Sequence, residues 1–140
     1  MSVAVPGSPE AAIDFLMDLN RHMGLHPFLT SVTVVGTGTS PEGLYWDWSV
    51  EERPTVGPFR YRLRFPTRMT RTSATSMTAM VRAAPGCRLR STTRAYTADG
   101  GCRLVEQTEV TAPWPVLGYM ARQGEAAHRR TYSLLPRALG

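Results

Sequence analysis

RLRSTTRAYTADGGCRLVEQTEV, residues 88–110, decides the fold. Two extended runs flank Asp99-Gly100-Gly101, a turn signal, so the stretch predicts an antiparallel hairpin. Centring the turn on Gly100 sets Tyr96 opposite Leu104, Arg94 opposite Glu106, Thr92 opposite Thr108 and Arg90 opposite Val110. With Tyr96, Leu104 and Val110 this is the more apolar face, and it is expected to point inward. Arg94 and Glu106 would then form a cross-strand ion pair inside the protein. A charged pair in a dry core loses more in desolvation than it recovers, so this face is expected to cover a cavity with a wet wall. A one-residue change of register would instead turn both charges to solvent.

Working outward, the same period of two runs from about residue 30 to Ala112. Strands are expected near 30–37, 43–52, 56–66, 72–83, 88–97 and 102–112. Turn signals separate them: Gly36 to Gly43, Pro54 to Pro58, Pro66 to Arg68, and Pro85-Gly86. Short connections between six strands in succession predict an antiparallel meander. Before it, Ser8-Pro9-Glu10 opens a helix: Ser8 caps free amides, Pro9 suits the first helical position and Glu10 complements the positive end. That helix is expected to stop near Asn20, with a short second turn leading to His26-Pro27-Phe28. After it, Pro113-Trp114-Pro115 closes the sheet, and Val116 to Leu139 reads as one long helix whose apolar stripe is Val116, Met120, Ala127, Thr131, Leu134, Leu135 and Ala138. The fold class is therefore α+β, a curved antiparallel sheet with one long C-terminal helix. One helix cannot cover such a sheet without large side chains or a hole beneath it.

GPFRYRLRF alternates strictly, with Phe59, Tyr61, Leu63 and Phe65 expected on the inner face and Arg60, Arg62 and Arg64 on the outer. In LYWDWSV, Trp46, Trp48 and Val50 share a face. Aromatic residues placed this way serve either as core or as the wall of a site for a flat hydrophobic ligand.

At 140 residues the chain is the length of a single domain, here 1–140, with 42% hydrophobic and 19% charged residues. No apolar run approaches membrane-spanning length, and Met1 to Pro6 lacks the features of a signal peptide, so a cytoplasmic protein without a membrane span is expected. The net charge of +5 comes from 16 basic residues, all arginine and scattered. The Arg60, Arg62, Arg64 row reads more readily as a solvated face than as a phosphate or membrane contact, and no nucleic-acid partner is expected. A homodimer is left open. On the hairpin reading Cys87 and Cys102 stand about 35 Å apart at ~3.3 Å per residue, which excludes a disulfide between them. The histidines His22, His26 and His128 fall in no metal-ligand spacing, and His128, at the edge of the helix stripe, reads as a surface or interfacial histidine rather than a general base; no metal or cofactor is expected. No nucleophile motif, phosphate loop or carboxylate pair marks a catalytic residue.

VAVPGSPEAAIDFLMDLNR resembles the V-x-VPASPE entry segment of the START-like, or SRPBCC, superfamily, which includes the polyketide cyclase/dehydrase group and the birch-pollen allergen fold. TADGGCRLVEQTEV is similar to its PDGDGTRVTxTVEV hairpin, and LGYMARQGEAAHRRTYSLLPRAL to its closing helix. HPFLTSVTVV and YWDWSVEERPTVGPFRYRLRF also fit the order of its strands. The resemblance implies a helix-grip fold: a seven-stranded antiparallel sheet wrapped around the C-terminal helix, enclosing an apolar cavity. It also implies a first strand before the SPE motif, for which only Ser2 to Val5 are available. Members bind lipids, polyketides or other hydrophobic molecules, and some cyclise or dehydrate them, with no universal catalytic residue. The expected function is binding or transport of a hydrophobic small molecule. Trp46, Trp48, Phe59, Tyr61, Leu63, Phe65 and Met120 would form the apolar wall, and Arg94, Tyr96 and Glu106 the polar end. The alternative is an aromatase/cyclase or dehydratase acting in the same cavity.

Overall fold

The computed structural model describes the backbone of residues 1–53, 55–56, 58–60, 62–84 and 86–140, and their side chains except at 55, 56, 83, 84, 114–121, 123 and 124. Strand β1 (Ser2–Val5) leads into helix α1 (Pro9–Met17), where the Ser8 hydroxyl accepts from the Ala11 amide at 3.1 Å, as the capping signal predicts. A single 3-10 turn follows at Leu19–His22. The chain then runs through β2 (Leu29–Ser40), β3 (Gly43–Glu52), the two-residue strands β4 (Thr55–Val56) and β5 (Phe59–Arg60), and β6 (Leu63–Ser73). Strands β7 (Ser76–Ala84), β8 (Cys87–Ala98) and β9 (Gly101–Thr111) complete the meander before helix α2 (Trp114–Leu139). No helix among the described residues is long and apolar enough to cross a membrane.

Seven strands form one antiparallel sheet in the order β1-β9-β8-β7-β6-β3-β2, with β4 and β5 a separate small hairpin. This is the sheet that the resemblance implied. The short first strand is fully paired, from Ser2 opposite Val105 to Val5 opposite Cys102, and Met1 exchanges both backbone hydrogen bonds with Glu106. Gly101 permits that approach: a Cβ there would lie 2.2 Å from the Val5 carbonyl oxygen. Ile13, Leu104 and Leu135, all but inaccessible to solvent, tie α1, β9 and α2 together at one end of the sheet.

Three expectations are corrected. The stretch 56–66 is not one strand: its first part is the β4–β5 hairpin, and β6 begins only at Leu63 and continues through the expected turn at Pro66 to Arg68. Pro66 stands opposite Ser49 of β3, one residue before pairing with β7 starts at Thr67, so it is flanked by a ladder on one side only. Second, the β8–β9 hairpin turns on two residues rather than three, with Ala98 opposite Gly101 and Gly100 in the left-handed region at φ 75°. The register slips by one: Thr93 faces Glu106, Arg94 faces Val105 and Tyr96 faces Arg103. The inner face of β9 is the expected one, with Leu104 and Glu106 buried, but that of β8 is the opposite set, Ser91, Thr93 and Ala95. The expected Arg94–Glu106 pair therefore does not form, and Arg94 points to solvent. Third, Ala138 of the expected helix stripe is exposed, while Ala127, Thr131 and Leu135 are buried. Cys87 and Cys102 are both buried and free.

Candidate functional site

The inner faces of β7 and β8 carry small side chains, Ala79 on one and Ser91 and Thr93 on the other, where the helix side offers Thr131. Short side chains on facing surfaces leave space. A cavity of about 160 Å³, partly open to solvent, lies there. Its apolar wall comes from Leu16, Val50, Phe65, Met69, Met77 and Leu89.

The other wall is polar, and Glu106 is its centre. The side chain is 6% exposed, and its Oε1 lies 2.7 Å from Nδ1 of His128 and accepts from the Thr108 hydroxyl at 2.8 Å. Thr108 in turn lies 3.0 Å from the Ser91 hydroxyl and is itself exposed, so the chain of polar groups reaches solvent at its outer end. Burial alone would raise the Glu106 carboxyl, yet the hydrogen bond and charge of His128 outweigh it and hold the group below the usual carboxylate range. Burial likewise opposes charge on His128, but the Glu106 hydrogen bond and the charges of Glu106 and Glu52 raise it above an ordinary histidine. The pair is therefore an imidazolium and a carboxylate, with Nε2 of His128 left as a donor at the cavity. Tyr132, one residue past Thr131 on α2, is 6% exposed, and its hydroxyl has no hydrogen-bond partner. Burial and the neighbouring Glu106 charge raise its pKa, so it stays a neutral donor.

Two further histidines line the cavity near the 3-10 turn. His22 stacks on Phe15 with ring centroids 5.7 Å apart, and its Nε2 is buried without a partner. Burial lowers its pKa. Nδ1 of His26 accepts from the Phe28 amide at 3.4 Å, which puts the proton of the neutral ring on Nε2, 3.6 Å from Glu52 Oε1. Burial, with the nearby His128 and His22, brings His26 down to about 4, and burial pushes Glu52 up to about 7. At neutral pH the cavity thus holds one ion pair, the neutral His26, and Glu52 near the midpoint of its titration. Thr67 adds a buried hydroxyl with no partner. No group of three or more His, Cys, Asp or Glu among the described residues has an arrangement that could hold a metal ion.

Of the residues expected at the site, Phe65 and Glu106 line the cavity. Trp48 is buried and Trp46 half-buried on the inner face of β3, but both stand outside the cavity, beside α1. Phe59, Leu63 and Tyr96 are 63%, 40% and 50% exposed. Phe59 leaves the sheet with the small hairpin, Leu63 lies at the frayed start of β6, and Tyr96 faces outward with Arg94 because of the register. Tyr61 and the side chain of Met120 lie outside the described residues. On the outer face, Arg62 donates to Glu51 Oε2 through Nε and Nη2 at 3.0 and 2.9 Å, and Arg64 joins it at 3.1 Å. These arginines bring the Glu51 carboxyl down to about 2. His128 is not the surface histidine expected. It is on the buried stripe with Ala127 and Thr131, and that position was its signal.

The sequence matches no protein-family model and no curated protein sequence. Solved structures match across nearly the whole chain. A di-domain aromatase/cyclase, StfQ, of the steffimycin biosynthetic pathway superposes with a TM-score of 0.74 at 10% identity, covering 99% of this chain and 49% of that one, so this chain spans about half its length. The Zhui aromatase/cyclase from Streptomyces sp. R1128 gives 0.66 at 14% identity, over 99% of this chain and 88% of that one. A STAR-related lipid transfer protein from Xanthomonas axonopodis gives 0.63 at 10% identity, over 96% and 82%. The chain shares the fold of these solved structures, the helix-grip fold that its sequence resemblance implied.

Proposed function

We propose that the protein binds a compact hydrophobic molecule with a polar end in the cavity between sheet and helix. The observation that carries this reading is a cavity walled by apolar side chains on one side and by the buried His128–Glu106 ion pair on the other. A space of about 160 Å³ is the size that holds a benzene-like ring. An apolar ring would gain roughly 25 cal/mol for each Å² it buries. The ligand's oxygen would accept from His128 Nε2 or the Tyr132 hydroxyl, relieving a buried donor that has no partner. The solved structures that share the fold include a lipid transfer protein and two aromatase/cyclases, which fits a hydrophobic cargo. The test is thermal unfolding with p-cresol. Millimolar p-cresol raises Tm in proportion to occupancy, whereas cyclohexane carboxylate, which brings a second anion to Glu106, does not. Unchanged Tm with p-cresol contradicts the proposal.

A second reading is acid–base chemistry on a poly-ketone held in the same place. The imidazolium of His128 favours it, since Nε2 can polarise a carbonyl and give its proton to that oxygen as an enol carbon of the same chain attacks, the neutral ring then taking up the enol's hydroxyl proton, while Glu106 stabilises the positive ring. Arg94 has no part in this, because it faces solvent. Turnover of a cyclisable poly-ketone that disappears in His128→Gln, with ligand binding retained, separates a catalyst from a carrier.

A further inference from the structure

We propose that the chain carries a second binding site, an open groove apart from the internal cavity, that takes a flat apolar molecule bearing an ammonium group. The groove forms where the inner face of the sheet extends past α1 toward the β2 edge. Val34, Trp48 and Trp46 make its floor, with Val34 directly opposite Trp48 in the ladder. Asp14 and Met17 of α1, Asp18 and Asn20 at the 3-10 turn, and Arg71 of β6 make its walls. The groove encloses about 420 Å³ and shares no lining residue with the internal cavity. That volume lies in the range of about 300–1,000 Å³ typical of small-molecule sites.

The floor is apolar and the wall is acidic. Val34, opposite Trp48, is 42% exposed, an unusual state for a valine on the inner face of a sheet. Arg71, the one cation in the wall, is fully engaged: Nε donates to the Ser73 carbonyl, Nη2 to the Ala74 carbonyl, and Nη1 to Asp14. Arg71 and Asp14 cancel in charge. Asp18 accepts the Asn20 amide with Oδ1, and no cation among the described residues pairs with its carboxylate. The groove therefore keeps one uncompensated negative charge beside two indole rings. A cation near an indole face gains about 0.5–1 kcal/mol at an exposed site, in addition to its attraction to a carboxylate. An anion here would face Asp14 and Asp18, and a neutral ring would gain only the apolar floor.

Three naphthalenes of one shape test this: 2-naphthylmethylammonium, 2-naphthylmethanol and 2-naphthylacetate, titrated against tryptophan fluorescence. The ammonium binds about threefold to fivefold more tightly than the alcohol, the gain expected of a cation over an indole, and the acetate binds more weakly than both. Asp18→Asn keeps an acceptor for the Asn20 amide, so the turn survives while the preference for the ammonium shrinks to the part due to the indole. Trp46→Ala weakens all three. Saturating p-cresol leaves the ammonium affinity unchanged, because the two sites are separate, and this holds or fails whether or not the cavity takes p-cresol. Equal affinity for the three ligands, an unaltered preference in Asp18→Asn, or competition by p-cresol overturns the proposal.

Discussion

His128→Leu deprives Glu106 of its cation and leaves the carboxylate buried with only the Thr108 hydroxyl at 2.8 Å. Removing one member of a buried pair costs about 3–5 kcal/mol, because the remaining charge is desolvated without compensation. The surviving Thr108 hydrogen bond and the 29% exposure of the His128 side chain place this case at the lower end, about 3 kcal/mol. At roughly 2–4 °C per kcal/mol for a chain of this size, Tm falls by about 6–12 °C. The pH dependence changes as well. In the native protein the Glu106 carboxyl lies below its ordinary 4.5, so its contribution is present above that value and is lost as pH falls through the folded value. His128 lies above its ordinary 6.5, so its contribution is complete below that value and is lost as pH rises through the folded value. The pair is thus most stabilising between about 4.5 and 6.5. Without His128, burial raises Glu106, and the variant gains stability as the solution is acidified toward pH 5, where the carboxyl takes up a proton on folding. The double variant Glu106→Leu/His128→Leu recovers most of the loss, since apolar replacement of both partners is near neutral. Urea unfolding of the four proteins at pH 5 and pH 7.5, followed by circular dichroism, gives the cycle. A loss under about 1 kcal/mol at pH 7.5, or a double variant no better than the single one, refutes the reasoning.

Thr93→Leu fills space that the small β8 side chains leave open, so p-cresol binding falls at least tenfold while the urea midpoint holds steady or rises. Gly101→Ala sets a Cβ 2.2 Å from the Val5 carbonyl oxygen, forces β1 away from β9 and costs about 2 kcal/mol; hydrogen exchange of the β1 amides accelerates first. Glu52, with a folded pKa of about 7 against 4.5, costs the native protein stability as pH rises through that interval; Glu52→Gln flattens this part of the stability profile and is the more stable protein at pH 8. Cys87 and Cys102, both buried, react with a thiol reagent only at the rate of unfolding.

The local signals in the sequence were sufficient for most of the architecture. The Ser8 cap, the β9 alternation that turns Leu104 and Glu106 inward, and the long closing helix are each encoded within one element. The β8 face was not, because its inner residues, Ser91, Thr93 and Ala95, are small or polar while the aromatic Tyr96 faces out. Hydrophobic alternation points the wrong way there, and the register rests on whether the turn at Asp99-Gly100 uses two residues or three. Small inner residues are what a cavity requires, so the feature that misled the face assignment is the one that makes the site. The strict alternation from Phe59 to Phe65 misled differently: it runs unbroken through a change of strand, and only Phe65 reaches the core. The polar wall was legible in part. Glu106 stood out as a charge on a buried face, but its partner comes from α2, twenty-two residues away, and no spacing rule joins them. His22 and His26 join the cavity from the connection between α1 and β2, for the same reason.

The central claim is that the sheet and helix leave a cavity beneath β7 and β8 with one charged wall. Titrating p-cresol into isotopically labelled protein and following backbone amide shifts tests it most directly. The predicted result is a saturating set of shifts confined to Ala79, Ser91, Thr93, Glu106 and Thr131, with the His128 ring resonances moving in step. Shifts scattered over the exposed strand faces, or none at these residues at saturating ligand, would contradict it.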